Sequence, residues 1–147
     1  MKKILFLFLL IFSCGINAQT LSWAWAQPIN SADYETSLCA TPDGFGHIFV
    51  AGYFTGSTVT VGSNTFTNIY PGRDDIYLAK YDGNGNVRWA KSFGGHEHDG
   101  LYDIATDSAG NCIIIGAFAS NYISFGSTTL YNTGGDVYKR QPRDHKN

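Results

Sequence analysis

The chain repeats itself at a spacing of 64 residues, and this repeat restricts the folds it can adopt. Trp25-Ala26 recurs as Trp89-Ala90. The same spacing, without a gap, aligns Asp43 with Asp107, Gly46 with Gly110, Gly52 with Gly116, Phe54 with Phe118, Gly62 with Gly126, Ser63 with Ser127, Thr65 with Thr129 and Asn68 with Asn132. Identities at turn and apolar positions are typical of units that stack on copies of themselves. We expect one full unit over about 30–93 and a second, partial unit over about 94–138.

A shorter pattern inside the units predicts β-hairpins. The segments beginning at Asp43, Asp82 and Asp107 all read Asp-x-x-Gly followed by Asn or His. Short runs rich in aromatic and β-branched residues flank each of them, which is the signature of two strands joined by a turn. Asp closes such a turn through its side chain, and Gly accepts the positive φ that other residues resist.

Each unit therefore holds two hairpins, such as 38–41 with 47–54 and 75–81 with 86–93. The connection from Thr55 to Gly72 also alternates, and this predicts a small extra hairpin. Methionine occurs only at position 1, and the chain lacks the composition of a helical bundle. We predict an all-β fold of β-propeller blades, each with four antiparallel strands, with about two blades and an incomplete ring.

The stretches 75–95 and 102–111 resemble the SBBP-type β-propeller repeat of secreted bacterial proteins, and a shift of three residues aligns Asp75-Ile76-Tyr77 with Asp136-Val137-Tyr138. The resemblance covers about residues 22–138. It implies an extracellular repeat domain of a protein from Bacteroidetes-like bacteria, and it specifies the fold more than any activity.

Closing a propeller takes about four to eight blades, so we expect the chain to be a fragment. Residues 22–28 match the fourth strand of a blade and are predicted to form a strand that closes the last blade of a ring. After Tyr138 the repeat pattern stops, and 139–147 are basic and non-periodic. This segment is interpreted as a non-repeat end that is truncated or artefactual.

The first 18 residues read as a secretory signal peptide. Lys2 and Lys3 precede an apolar run from Ile4 to Phe12, which is too short to cross a bilayer, and we predict cleavage after Ala18. The alternative is a lipoprotein that is processed to begin at Cys14. Both readings predict a secreted, extracellular or outer cell-surface protein without a membrane span.

Charge and motifs exclude several classes of function. Residues 19–138 contain four basic and eleven acidic residues, a net charge of −7, which argues against a nucleic-acid partner. We find no serine-hydrolase elbow, no zinc-protease helix motif and no phosphate-binding loop, and we predict no catalytic residue and no cofactor.

Two patterns raise the possibility of a metal. The alternating residues Asp82, Asn84 and Asn86 resemble the first ligands of a calcium-binding loop. The twelfth position of that loop would be Phe93, where an EF-hand needs Glu. We therefore interpret it as a hairpin turn. His96 and His98 are the weak candidates for a transition-metal site, because in an extended segment they project to the same side.

Aromatic residues and cysteines leave further alternatives open. Sugar stacking is one role for a set of aromatic residues, and packing in the blade core is the other; the candidates are Trp23, Trp25, Trp89, Tyr53, Tyr70 and Tyr122. Cys39 and Cys112 either pair as a disulfide or serve as small apolar side chains in strands.

From these observations we predict a secreted or cell-surface binding or scaffolding module that contacts an unknown macromolecule or glycan and further blades of its full-length chain. The alternative is the propeller part of a larger extracellular hydrolase or lyase, with the catalytic residues outside this sequence.

Overall fold

The computed structural model describes residues 22–133 and 139–140. Within them the fold is all-β, without a helix and with antiparallel sheets of two to four strands, as the sequence predicts. The strands are β1 (Ile29–Ser31), β2 (Glu35–Pro42), β3 (Ile48–Phe54), β4 (Thr58–Val61), β5 (Asn64–Thr67), β6 (Asp75–Tyr81), β7 (Val87–Phe93), β8 (Asp99–Thr106), β9 (Cys112–Phe118), β10 (Tyr122–Phe125), β11 (Thr128–Tyr131) and β12 (Lys139–Arg140). No helix in this part of the chain is long and apolar enough to cross a membrane.

The first unit forms a four-stranded antiparallel sheet in the order β2-β3-β6-β7. This is the arrangement expected of one propeller blade. Both predicted hairpins are present, although β2 begins at Glu35 and is longer than the predicted 38–41. The strands follow the period of two, so that Phe49 and Ala51 face one side of the sheet and Val50 and Phe54 the other.

A small hairpin is inserted between the second and third strands of each unit. In the first unit β4 and β5 pair through a two-residue turn at Gly62-Ser63, and in the second unit β10 and β11 pair through Gly126-Ser127. The glycines have φ of 59° and 60°, which the first position of this turn requires. The extra hairpin predicted from the alternation in 55–72 is therefore confirmed.

The second unit forms a three-stranded sheet in the order β12-β9-β8. Strand β12 takes the place that β6 has in the first sheet, since Lys139 pairs with Gly116 as Tyr77 pairs with Gly52. The sequence alignment assigns this place to Tyr138, so the pairing is displaced by one residue. Residues 134–138 and 141–147 lie outside the described part, as does the leader 1–18.

Strand β12 also lies inside the segment 139–147 that the sequence predicts to be a non-repeat end. Backbone hydrogen bonds build a sheet without regard to side-chain identity, and pattern alone therefore missed this pairing.

Two apolar clusters cover the two faces of the first sheet. The first cluster lies between the sheets of the two units and contains Phe49, Ala51, Ile76, Leu78 and Phe93 from the first unit and Leu101, Ile104, Ile114, Phe118 and Ile123 from the second. The second lies on the other face, where the inserted hairpin contributes Val59 and Val61 against Phe54, Tyr77, Ala79 and Tyr81. The first sheet thus buries one apolar face against the second sheet and the other against its inserted hairpin.

The segment before the first unit corrects one prediction. Residues 22–28 form no strand in the structure, and the first strand, β1, begins at Ile29. The blade that 22–28 is predicted to complete is not among the described residues, and a strand needs such a neighbour for its hydrogen bonds. Trp25 instead stacks on Tyr81 with ring centroids 5.7 Å apart, and β1 pairs with β4.

Candidate functional site

The three Asp-x-x-Gly segments lie at one end of the sheets, which we call the turn end, and all close their turns in the same way. The Oδ1 of Asp82 accepts hydrogen bonds from the backbone N–H groups of Asn84 and Asn86 at 3.0 and 2.9 Å. Asp107 accepts from Ala109 and Asn111 at 2.9 Å each. The carboxylates are turn formers here, as the hairpin-turn interpretation requires.

The turn that begins at Asp43 has an additional role. Asp43 is buried, and its Oδ2 lies 2.8 Å from Lys80 Nζ and 2.8 Å from His47 Nδ1. Burial alone raises the pKa of a carboxyl, yet the hydrogen bonds from Lys80, Phe45 and His47 hold the pKa of Asp43 well below its usual range. Asp43 is therefore a structural anion that ties the turn to strand β6.

The opposite end, which we call the loop end, is built from the connections 55–57, 68–74 and 94–98. Asn68 is buried and organises the second of these: its side-chain nitrogen donates to the Arg73 carbonyl at 2.8 Å, and its oxygen accepts from the Tyr70 N–H at 2.9 Å. Gly72 N–H donates to the Thr55 carbonyl at 2.8 Å. These hydrogen bonds hold the loop 68–74 in one conformation, and the side chain of Tyr70 remains exposed to solvent.

Two pairs of aromatic rings lie at the loop end. Tyr70 packs on His96 with centroids 4.3 Å apart, and Tyr34 lies against Tyr53 with centroids 6.3 Å apart. Tyr34 is 57% exposed and Tyr70 44%. The neighbouring Tyr34, partial burial and the Asp74 carboxylate raise the pKa of Tyr53, so its hydroxyl stays protonated at neutral pH.

Charged groups at the loop end are paired across the two connections. The Arg73 Nε lies 3.6 Å from Glu97 Oε2, and the Asp74 Oδ2 lies 2.6 Å from His98 Nδ1. Together with the contact between Tyr70 and His96, three successive residues of 96–98 each contact the loop 68–74. The loop end is therefore a continuous surface formed by both units.

The structure gives the two predicted histidines separate partners. The chain bends at His96 and Glu97, so the extended segment that the sequence predicts is absent. His96 packs on Tyr70, whereas His98 contacts Asp74. In the described residues, no three His, Cys, Asp or Glu side chains are grouped so that they could hold a metal. The metal site stays a prediction without a structural argument in its favour.

Beneath the loop end lies a pair of buried carboxylates that the sequence did not indicate. Asp75 at the start of β6 and Asp99 at the start of β8 are 5% and 0% exposed. Ser120 donates to Asp99 through Oγ and N–H at 2.8 and 3.2 Å, while Asp75 Oδ1 has no hydrogen-bond partner. Burial, followed by the Asp99 carboxylate, raises the pKa of Asp75 to about 7.

Gly94 makes room for this carboxylate. A Cβ at Gly94 would lie 1.9 Å from Asp75 Oδ1. The Asp residues and the Gly-Gly step were visible in the sequence, but strand pairing was needed to show that Asp75 and Asp99 begin neighbouring sheets.

The remaining candidates lie in the core or elsewhere on the surface. Trp89 packs on Phe49 with centroids 5.7 Å apart, while Trp23 is exposed. Tyr122 is partly exposed and lies against Tyr131. Cys39 and Cys112 are free thiols in β2 and β9 that pack against the first apolar cluster, and burial raises the pKa of Cys112 to about 11. Neither thiol has the low pKa of a reactive cysteine.

Comparison with known proteins supports the repeat architecture. No family model matches the chain. The chain is 26% identical over 134 residues to a WD repeat-containing protein of Acanthamoeba polyphaga mimivirus. The alignment covers 81% of this chain and 9% of the relative, so the chain spans a small part of that protein's length.

The unit length fits this similarity. A WD unit has about 40–45 residues and folds as a four-stranded propeller blade. The unit here is longer by about 20 residues, which is the length of the connection 55–74 that carries the inserted hairpin. The all-β sheets and the WD repeat similarity together fit a β-propeller-like repeat protein.

Proposed function

We propose that this chain belongs to a secreted or cell-surface β-propeller protein of the SBBP type from a Bacteroidetes-like bacterium. In this proposal the leader 1–18 directs export, and the repeats act as a binding or scaffolding module that contacts a macromolecule or glycan. The module has no catalytic residues of its own. The WD repeat similarity supports a repeat-based module of this kind.

The contrast between the two ends of the sheets carries the proposal. At the turn end, the carboxylates of Asp43, Asp82 and Asp107 are occupied by backbone N–H groups of their own turns. At the loop end, the connections are held rigidly while Tyr34 and Tyr70 stay exposed. Rigid loops with exposed aromatic side chains are the usual binding elements of a β scaffold.

The chemistry of the acidic residues also favours binding over catalysis. The Asp74 carboxylate is engaged by His98, and Asp75 and Asp99 lie below the surface. A general acid or base must reach a substrate proton within hydrogen-bond distance. Asp75 and Asp99 are 5% and 0% exposed and therefore lack this access to a substrate.

A binding survey tests the proposal. The exported protein is immobilised at low density, which keeps the molecules apart, and exposed to panels of glycans and extracellular proteins. We expect saturable binding to at least one panel member, lost in Tyr70→Ala and kept in Phe45→Ala, because Phe45 is exposed at the turn end. Absence of saturable binding, or equal loss in both variants, contradicts the proposal.

Export is tested separately by sequencing the N-terminus of the mature protein. We expect it to begin at Gln19. A lipidated N-terminus at Cys14 would replace the signal-peptide assignment with the lipoprotein alternative. An uncleaved protein that stays in the cytoplasm would overturn the export proposal.

A further inference from the structure

The exposed rings of the loop end form two platforms on one connected piece of backbone. The first is Tyr34 with Tyr53, whose planes are tilted by 40°, and the second is Tyr70 with His96, tilted by 35°. The Thr55 N–H donates to the Tyr34 carbonyl at 2.9 Å, and the Thr55 carbonyl accepts from Gly72. Thr55 therefore links the segment that carries the first platform to the loop that carries the second.

Hydrogen-bonding groups are interspersed with these platforms. The Asp74 carboxylate contacts His98 and also acts on the ionisation of Tyr53. Arg73 and Glu97 form the second charged pair. We call Tyr34, Tyr53, Tyr70, Asp74, His96 and His98 the loop-end surface. Its tyrosine hydroxyls, carboxylate and imidazoles give both donors and acceptors close to apolar ring faces.

The loop-end surface and its surroundings hold more acidic than basic side chains. Arg73 lies 3.6 Å from Glu97, Asp74 contacts His98, and the acidic residues Asp33 and Glu35 flank Tyr34, so positive charge is not in excess here. The rest of residues 19–138 carries a negative net charge. An anionic ligand would therefore gain no attraction here and would be repelled at longer range.

From these features we propose that the loop-end surface binds a neutral oligosaccharide. Sugar rings would pack their C–H faces on Tyr70 and Tyr34, and their hydroxyls would exchange hydrogen bonds with Asp74 and His98. This inference rests on the proposed binding function and adds the class of ligand and the residues that contact it.

The loop-end surface is preorganised for such a ligand, which lowers the entropic cost of binding. Asn68, 2% exposed, fixes the loop through the Arg73 carbonyl and the Tyr70 N–H, and Arg73 N–H donates to the Tyr70 carbonyl at 3.0 Å. Tyr70 is thus presented on a closed turn. A tyrosine side chain also loses little conformational freedom on binding.

The test is the binding of the immobilised protein to an array of neutral and acidic oligosaccharides. We expect a neutral oligosaccharide to bind, Tyr70→Ala to weaken it roughly tenfold or more and Tyr70→Phe to keep most of the affinity, because the ring is retained. Phe45→Ala, an exposed ring at the turn end, is the matched control and should leave the affinity unchanged. Because Tyr70 is exposed, we expect Tyr70→Ala to keep the wild-type thermal midpoint. An unchanged midpoint shows that a loss of binding is not caused by unfolding.

Three outcomes overturn the assignment. If acidic oligosaccharides bind more tightly than neutral ones, the surface is not a neutral-sugar site. If Tyr70→Phe loses as much affinity as Tyr70→Ala, ring stacking is not the basis of recognition. If the array is blank while an extracellular protein binds and is lost in Tyr70→Ala, the glycan assignment fails and the proposed binding function stands.

Discussion

The ring of Phe93 packs against the ring of Phe125 with centroids 4.6 Å apart. Phe93 ends the outer strand of the first unit, and Phe125 belongs to the inserted hairpin of the second. The residues 64 positions earlier, Ile29 and Val61, are directly opposite each other in the pairing of β1 with β4. The inserted hairpin of each unit therefore contacts the segment that precedes its own unit.

This relationship explains the role of the inserted hairpins. Val59 and Ile123, equivalent at the spacing of 64, are 0% and 1% exposed, although each lies in a strand of only four residues. Such a hairpin is marginal alone and is stabilised by packing against larger sheets. The two units of this chain therefore share their packing as well as their sequence pattern.

Gly52→Ala should destabilise the protein by about 1–3 kcal/mol, because a Cβ there would lie 1.8 Å from the Thr36 carbonyl oxygen of the neighbouring strand. Gly100→Ala is the matched control, since a Cβ at Gly100 meets nothing within 4 Å. Urea unfolding measures both changes. Equal stability of the two variants would show that β2 and β3 are not this close.

Stability should fall as pH rises from about 4 to about 7, because native Asp75 keeps a proton that the unfolded chain has already lost. Burial of Asp99 acts in the same direction. Asp75→Asn should flatten this part of the pH profile and stabilise the protein at pH 8 by a few kcal/mol. An unchanged slope in the variant would contradict the burial of Asp75.

The depressed pKa of Asp43 changes the stability of the protein with pH in the direction opposite to that of Asp75. A carboxyl whose pKa is depressed in the native state adds stability above the unfolded value near 4, and this stability is lost as pH falls through and below that value. Asp43→Ala should cost about 3 kcal/mol at neutral pH, because it leaves Lys80 without its buried partner.

Asp82→Ala is the comparison for Asp43→Ala, and it should cost clearly less, since Asp82 is only partly buried and supports only its own turn. Thermal unfolding with and without calcium distinguishes the hairpin-turn interpretation of Asp82 from the calcium-loop alternative. A calcium-dependent rise in the wild-type midpoint that Asp82→Ala removes would favour the calcium loop.

The chain should associate in solution through the outward face of the second sheet. Ile115 is 46% exposed, whereas its equivalent Ala51 is 0% exposed beneath the neighbouring unit. Ile115→Glu should reduce association, measured by light scattering during size-exclusion chromatography, while Ile69→Glu at the loop end should not. A monomeric, cooperatively melting wild-type protein would count against this prediction.

The sequence pattern was sufficient to predict the hairpins, because Asp and Gly determine a turn through local geometry. It missed the bulges that occur at Leu38 and Tyr102, equivalent positions in β2 and β8. There the extra residue is exposed, so that Leu101 and Ile104 are both buried despite their odd spacing. A bulge is defined by the pairing of two strands, and the periodicity of one strand alone carries no information about that pairing.

The candidate site was less predictable than the fold. Tyr70, His96 and His98 were singled out individually, but their grouping at the loop end depends on the contacts of 68–74 with 94–98. Tyr34 and Asp74 were not noticed, since single exposed residues in loops carry no periodic signal. Residues from separate connections become a site only through tertiary packing.

The central claim, that the units are sheets packed on one another through the inserted hairpin, is tested most directly by a double-mutant cycle between Phe93 and Phe125. Unfolding of Phe93→Ala, Phe125→Ala and the double variant is measured below the concentration at which the chain associates. The account predicts a coupling of about 0.5–1.5 kcal/mol, and none between Phe93 and Trp25, which pack in different apolar clusters. Additive costs for Phe93 and Phe125 would contradict the claim.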